Sequence, residues 1–439
     1  VNPDLGFAII AVLVAAYGLV AMLLARYSVS AAFSFTVIGA VIGGAGLGLM
    51  VDPLETTQVS FLAEITLALV LFADASSVDL RKLTHDAGAV VRLLLIGLPL
   101  TLVGGTVLAL GLFPEASFGV ALLIAATLAP TDGALGQAVI TDRAVPARIR
   151  RILNVESGLN DGIAAPVVTL AIAIAIAAGS RVSQPLLDAV LELILAGVVG
   201  VMVGYVGGWL LVRADALGWT SPASRMIVVL AMAFAAYFFA VGLGASGFVA
   251  AFVAGLAFKA ATRKRAATAV RFTEALGGLL SIGVWLIFGL VVVAEHLIGG
   301  FDVAVILYAV LSLTLLRMVP VAIALYGERF QRVTVAFVGW FGPRGLASIV
   351  FLLLGMESLE AAGVPTGPLP AAVAWTVFLS IVFHGFSAKP LAGRFGRFAR
   401  QLPDDSPEWL GDEEPRARTR MAMSFHPADR AAEELSGES

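Results

Sequence analysis

Thirteen apolar runs of about 20 residues are the strongest constraint on what this chain can fold into. They lie at about 5–25, 32–51, 59–78, 88–112, 117–140, 152–178, 186–212, 223–242, 244–261, 272–294, 302–326, 333–356 and 370–388. A run of that length crosses the hydrocarbon of a bilayer as a single helix. In lipid every backbone N–H and C=O must be satisfied internally, so such runs are read as α-helices. The expected fold is therefore an all-α polytopic membrane protein with 13 transmembrane helices in residues 1–400. Composition agrees: 59% of the residues are hydrophobic and 13% charged, where a soluble domain carries about one quarter charged residues. The absence of cysteine excludes a disulfide framework or a thiolate metal site. The first run lacks a basic leader and has full membrane length, so it reads as a permanent span rather than a cleaved signal.

The loops carry a sign pattern. After odd-numbered runs come Arg26; Arg81 and Lys82; Arg143, Arg148, Arg150 and Arg151; Arg213; Lys259, Arg263, Lys264, Arg265 and Arg271; Arg329 and Arg332. After even-numbered runs come Asp52, Glu55, Glu115, Glu295, Asp302, Glu357 and Glu360, with Arg181 the only basic residue. The positive-inside rule then puts the N-terminus outside and the C-terminus in the cytoplasm, for a multi-pass protein of the cell (plasma) membrane. Residues 401–439 are polar and acidic with scattered arginines, a composition expected to be largely disordered. A short amphipathic helix near Glu408 to Leu410 is the exception considered.

Two runs are interrupted at mid-membrane. The fifth contains Thr127-Leu-Ala-Pro-Thr-Asp-Gly133 and the twelfth Gly339-Trp-Phe-Gly-Pro-Arg-Gly345. Proline removes a helix hydrogen bond and glycine permits a turn. Broken helices at matching positions of two halves point to a transporter site. Runs five and twelve are seven apart and so run in opposite directions. That order fits inverted six-helix repeats, runs 1–6 and 8–13, with two crossed discontinuous helices. Simple kinks are the bland alternative, but each break also holds a charge, Asp132 or Arg344.

The sixth run reads Ile152-Leu-Asn-Val-Glu-Ser-Gly-Leu-Asn-Asp-Gly162 before its long apolar stretch. Glu156 and Asp161 thus lie at bilayer depth, where a carboxylate costs roughly 2.5–3.5 kcal/mol on insertion scales and marks an ion or proton path. A monovalent cation needs hard oxygen ligands. Away from water a carboxylate also holds a proton more readily. One carboxylate that takes either a proton or a cation couples the two by competition, and Asp161 is placed for that role. Glu156 is five residues away, about 1.4 turns, and points from a different side of the helix.

The three strings Pro-Thr-Asp at 130–132, Glu-Ser-Gly-Leu-Asn-Asp at 156–161 and Gly-Pro-Arg-Gly at 342–345, in this order on runs five, six and twelve, resemble the sodium/proton exchangers. The likeness is to the NhaP/NHE branch of the monovalent cation–proton antiporters, over residues 5 to about 390. It implies that Asp161 alternately binds a proton or a cation, with Ser157 and the carbonyl of Thr131 as further ligands. It implies an acidic residue of the third run lining the path, where Asp74 stands in place of the glutamate expected of close relatives. It implies a buried pair of Glu156 with Arg317, and Arg344 compensating helix-end charge. Asn160, where the electrogenic branch has a second carboxylate, implies electroneutral 1:1 exchange, with helix capping as its alternative role. Asp132 reads first as neutralising a half-helix N-terminus and second as a cation ligand. The resemblance further implies a core at about 88–178 and 302–388, a scaffold at about 5–78 and 186–294, and a homodimer. No cofactor, enzymatic activity or nucleic-acid partner is expected.

The implied function is exchange of Na⁺, or of Li⁺ or K⁺, for H⁺ in pH and cation homeostasis. A K⁺/H⁺ antiporter is the near alternative. A sodium-coupled organic-anion symporter shares the architecture but should need more uncharged polar ligands than the Asn-Asp helix offers. An intramembrane protease lacks its Ser/His dyad or Gly-x-Gly-Asp string, and a channel would lack paired broken helices. Glu64 and Glu192 read as interfacial or as subunit contacts. The histidines, His85, His296, His384 and His426, read as lying at span ends or in the tail, with no metal cluster.

Overall fold

The computed structural model describes residues 3–43, 46–48, 56–77, 87–177, 183–263, 266–293, 302–403 and 405–409. Arg81, Lys82, Arg181, Lys264, Arg265, Glu295, His85, His296, His426 and the tail beyond Trp409 lie outside them. Among the described residues all regular structure is helical, and nine helices are long and apolar enough to cross a membrane by length and composition. In chain order the helices are α1 (Pro3–Arg26), α2 (Ala31–Ile42), α3 (Thr56–Ser77), α4 (Ala87–Leu112), α5 (Phe118–Leu128) and α6 (Gln137–Ile140). There follow α7 (Ala147–Ile176), α8 (Leu187–Ala216), α9 (Pro222–Gly242), α10 (Gly247–Thr262) and α11 (Ala267–Val293). The last are α12 (Val303–Ala324), α13 (Arg332–Trp340), α14 (Leu346–Ala361) and α15 (Leu369–Ala399).

Several ends differ from the apolar runs, for local reasons. Among the described residues the second run is helical to Ile42, where Gly43, Gly46 and Gly48 follow and Gly48 takes a φ of 63°, a conformation open to glycine. Helices α7 and α15 instead outrun their apolar stretches, starting at Ala147 and ending at Ala399. Their extra turns carry Arg148 to Arg151 and Lys389 to Arg397, which hydropathy discards but which continue a helix well.

Helix α3 forms the centre of the bundle and is largely buried, whereas α1 is mostly exposed. It packs on α10, α11 and α14. Small residues allow this closeness. A Cβ at Gly289 of α11 would collide with the Thr36 carbonyl of α2, and one at Gly255 of α10 with the Phe72 carbonyl of α3. Backbone-to-backbone packing of this kind replaces the hydrophobic drive that lipid does not supply.

Helix α5 packs between α4 and α7, and α15 lies against α12 and α5. Three helices contain a π-helical turn, at Leu93–Gly97, Met202–Val206 and Phe288–Val293. Helix α12 is broken at Thr314, whose ψ is −87°.

After α15 the chain turns back, and a 3₁₀ turn at Pro407–Trp409 buries Glu408 completely. One carboxylate oxygen of Glu408 accepts the Gln331 N–H at 2.9 Å and the Thr334 hydroxyl at 2.8 Å. These groups open α13, where helix donors have no partner of their own and negative charge is favoured. Arg148 of α7 donates to the Pro407 carbonyl at 2.8 Å and lies over the Phe330 ring.

Candidate functional site

Helix α5 stops at Leu128 and α6 begins at Gln137; α13 stops at Trp340 and α14 begins at Leu346. The two breaks meet. The Asp132 N–H donates to the Pro343 carbonyl at 2.7 Å. Each break also repairs the other. Asp132 Oδ2 accepts the Leu346 N–H at 2.8 Å, capping α14, while its Oδ1 accepts the N–H groups of Ala134 at 2.7 Å and Leu135 at 3.3 Å. In return the Arg344 guanidinium donates to the carbonyls of Ala129 at 3.0 Å and Pro130 at 3.2 Å, at the buried C-terminal end of α5. A carboxylate thus sits at a positive helix end and a guanidinium at a negative one. Gly345 is required here, since a Cβ on it would fall on the Asp132 carboxylate.

Helix α7 runs past this crossing. Ser157, Asn160 and Asp161, spaced i, i+3 and i+4, share one face. Thr131 and Ser157 share a hydrogen bond of 3.1 Å between their hydroxyls, and Asn160 Nδ2 donates to Thr131 Oγ1 at 2.6 Å. All four side chains are buried, Asp161 with 4% of its surface exposed. Among the described residues Asn160 Oδ1, Thr127 Oγ1 and Ser348 Oγ are buried oxygens without a hydrogen-bond partner. The side chains of Thr131, Ser157, Asn160 and Asp161 thus gather hard oxygen donors with one formal negative charge on α7's face. Gly162 lets α7 close on the Phe252 ring, where a Cβ would clash.

Glu156 points the other way. Arg317, in the second half of α12, donates Nη1 to its Oε1 at 2.6 Å and Nη2 to its Oε2 at 2.8 Å. The break at Thr314 sets this register, and Gly342 leaves room for the guanidinium. Asp74, 3% exposed, lies on α3, which packs against α7, and its carbonyl accepts the Ser77 hydroxyl. The structure thus brings Thr131, Ser157, Asn160 and Asp161 to one crossing, puts Asp132 and Arg344 on the helix ends beside it, and ties Glu156 to Arg317.

A cavity of about 550 Å³ has a lining that runs from exposed Arg26 and Lys389 to buried Asp132 and Leu346. Asp142 and Tyr17 also line it. At its rim the Lys389 ammonium donates to the Ala25 and Arg26 carbonyls that end α1. Farther along α14, Phe351 packs edge-on against Phe248, which in turn meets Tyr237, and all three rings are buried.

Glu64, half-buried, accepts the Tyr237 hydroxyl at 2.6 Å. One sequence reading is corrected. His384 is not at a helix end: it is 1% exposed, in the interior of α15, beside the break after Trp340. Its signal was present as Ser380, His384 and Ser387 on one helical face. A polar stripe in an apolar helix was visible, although its partner was not.

Two helices broken at mid-length, meeting break to break beside a buried carboxylate, are the construction of a secondary transporter. Comparison with known proteins narrows the class. The family described as "Sodium/hydrogen exchanger, transmembrane" matches residues 9–394, and the chain belongs to it. A K⁺/H⁺ antiporter, NhaP, of Alkalimonas amylolytica is 27% identical over 362 residues, covering 82% of this chain and 61% of that protein. An uncharacterized Na⁺/H⁺ exchanger, YjcE, of Escherichia coli (strain K12) is 28% identical over 232 residues, 51% of this chain and 42% of that one. The chain thus spans less than two thirds of the length of these curated relatives. The sodium proton antiporter MjNhaP1 from Methanocaldococcus jannaschii, solved at pH 8, shares the fold. Its TM-score is 0.69 at 19% identity, over 88% of this chain and all of that one.

Proposed function

We propose that the protein exchanges a monovalent cation for protons by alternating access, with Asp161 as the group that binds either. The observation that carries this reading is the oxygen cluster of Thr131, Ser157 and Asn160 gathered on Asp161's helix face where the two breaks meet. A bound cation would take oxygens from Asp161, Ser157 and Thr131, with Asn160 holding Thr131 in place. Proton and cation compete for one carboxylate, which gives coupling without a second device. Asn160 in place of a second acid supports an electroneutral 1:1 cycle. Relatives named for Na⁺ and for K⁺ both occur, and the oxygen set suits either, with Na⁺ the ion we favour. Asp132 acts as a helix cap rather than a ligand, because its carboxylate already accepts three amides. Asp74 lines the path.

The same reading gives the architecture: 13 spans in two inverted six-helix repeats, an outside N-terminus and a cytoplasmic C-terminus in the plasma membrane. Residues of about 88–178 and 302–388 form the moving core, and about 5–78 and 186–294 the scaffold of a homodimer. The cavity then opens to the cytoplasm, and the Tyr237–Phe248–Phe351 cluster closes the outer side. The direct test is Na⁺- or K⁺-driven dequenching of a pH dye in proteoliposomes. Wild type should respond. Asp161→Asn should be inserted, folded and silent, and a wild-type response from that variant would end the assignment.

A further inference from the structure

The break between α13 and α14 is held from one side by Asp132 and from the other by a stripe on α15. Trp340 ends α13, and its carbonyl accepts the Gly342 N–H at 2.9 Å. The second lone pair of that carbonyl is 2.8 Å from His384 Nε2. A carbonyl can only accept, so this contact is a hydrogen bond when Nε2 carries the ring's proton. His384 Nδ1 lies 3.0 Å from the Ser380 carbonyl and 3.3 Å from the Ser380 hydroxyl. That same hydroxyl accepts the Arg344 N–H at 2.7 Å. The indole of Trp340 stacks on the imidazole at 5.1 Å between centroids and 29° between planes, and its N–H donates to Ser387 at 2.9 Å.

One face of α15 thus grips the break at two points: Trp340 before it through His384 and Ser387, and Arg344 within it through Ser380. Between these grips lies Pro343, whose carbonyl accepts the Asp132 N–H, and Asp132 adjoins Thr131. A shift of the break is therefore passed directly to the Thr131 oxygen. Loops in broken membrane helices have no lipid-side partner to hold them, so their register depends on such contacts.

We propose that His384 is a positioning residue for the ion site: the proton on Nε2 fixes the Trp340 carbonyl, and with Ser380 it sets the register in which Thr131 faces Ser157 and Asn160. This rests on the exchange function proposed above. Glutamine can place an N–H where Nε2 stands, whereas leucine fills the volume without a donor.

The test measures apparent affinity for Na⁺ and for K⁺, maximal rate and melting temperature in His384→Leu, His384→Gln and Ser380→Ala. It adds backbone hydrogen exchange over residues 337–349. His384→Leu should weaken cation affinity about tenfold, the size one net hydrogen bond converts to, with faster exchange over 337–349. His384→Gln should restore both. Ser380→Ala, a small deletion, should show the same direction and keeps the test open if the leucine variant does not insert. Unchanged affinity and exchange in both His384→Leu and Ser380→Ala would overturn the proposal. So would equal defects in the leucine and glutamine variants, which would assign the effect to ring packing. A wild-type protein that moves neither ion would fail the exchange reading instead, while the hydrogen-exchange comparison would still decide whether His384 holds the break.

Discussion

Removing one member of the Glu156–Arg317 pair leaves the other charged, buried and short of two hydrogen bonds. Breaking a buried pair from one side costs roughly 3–5 kcal/mol, whereas replacing both members by apolar groups is often neutral. Glu156→Gln should therefore lower stability by about that amount, and Glu156→Gln with Arg317→Met should recover most of it. Because Glu156 faces away from Asp161, the double variant should keep near-normal cation affinity. Melting curves and cation titrations of wild type, both single variants and the double variant check this. A stable Glu156→Gln protein with a large affinity loss that the second change does not correct would make Glu156 part of the site.

At the scale of elements, the two broken helices are each completed by the other. Asp132→Asn keeps an oxygen for Ala134 and Leu135 but turns an N–H₂ toward the Leu346 N–H, leaving a buried donor unmet. That should cost about 1–3 kcal/mol, read as a lower denaturation midpoint. The stops themselves were legible, since Pro130, Gly133, Gly339 and Pro343 announce them and the helices end there. Partners were less so. That Arg317 meets Glu156 was available only through likeness to a family, because 161 residues separate them. The π turns carry no proline and had no signal. His384 and Ser380 share a legible polar face of α15, but what they meet was not legible, because their acceptor and donor lie at the end of a different helix and in the break after it, about 40 residues away. Hydropathy reports where a chain is apolar, and the contacts that build this site are polar and non-local.

Across the whole molecule, one carboxylate exchanging one charge for one charge should make transport insensitive to membrane potential. Clamping the potential with valinomycin and K⁺ in a Na⁺-driven vesicle assay should leave initial rates unchanged. A clear voltage dependence would show a second moving charge, with Asp74 the first suspect.

The turn at Pro407–Trp409 bears on where the chain can be cut. Its carboxylate, Glu408, is the N-terminal cap of α13, the helix whose far end is the break. The polar stretch after α15 thus begins as a structural part of the membrane bundle. Glu408→Ala, or a chain ended after Gln401, should melt at a lower temperature than the full chain, because α13 then starts with its Gln331 and Thr334 donors unmet. Anyone attaching a reporter or an affinity tag should accordingly place the junction beyond Trp409, since a fusion made at the last long helix would unfasten the helix that leads to the break at Phe341.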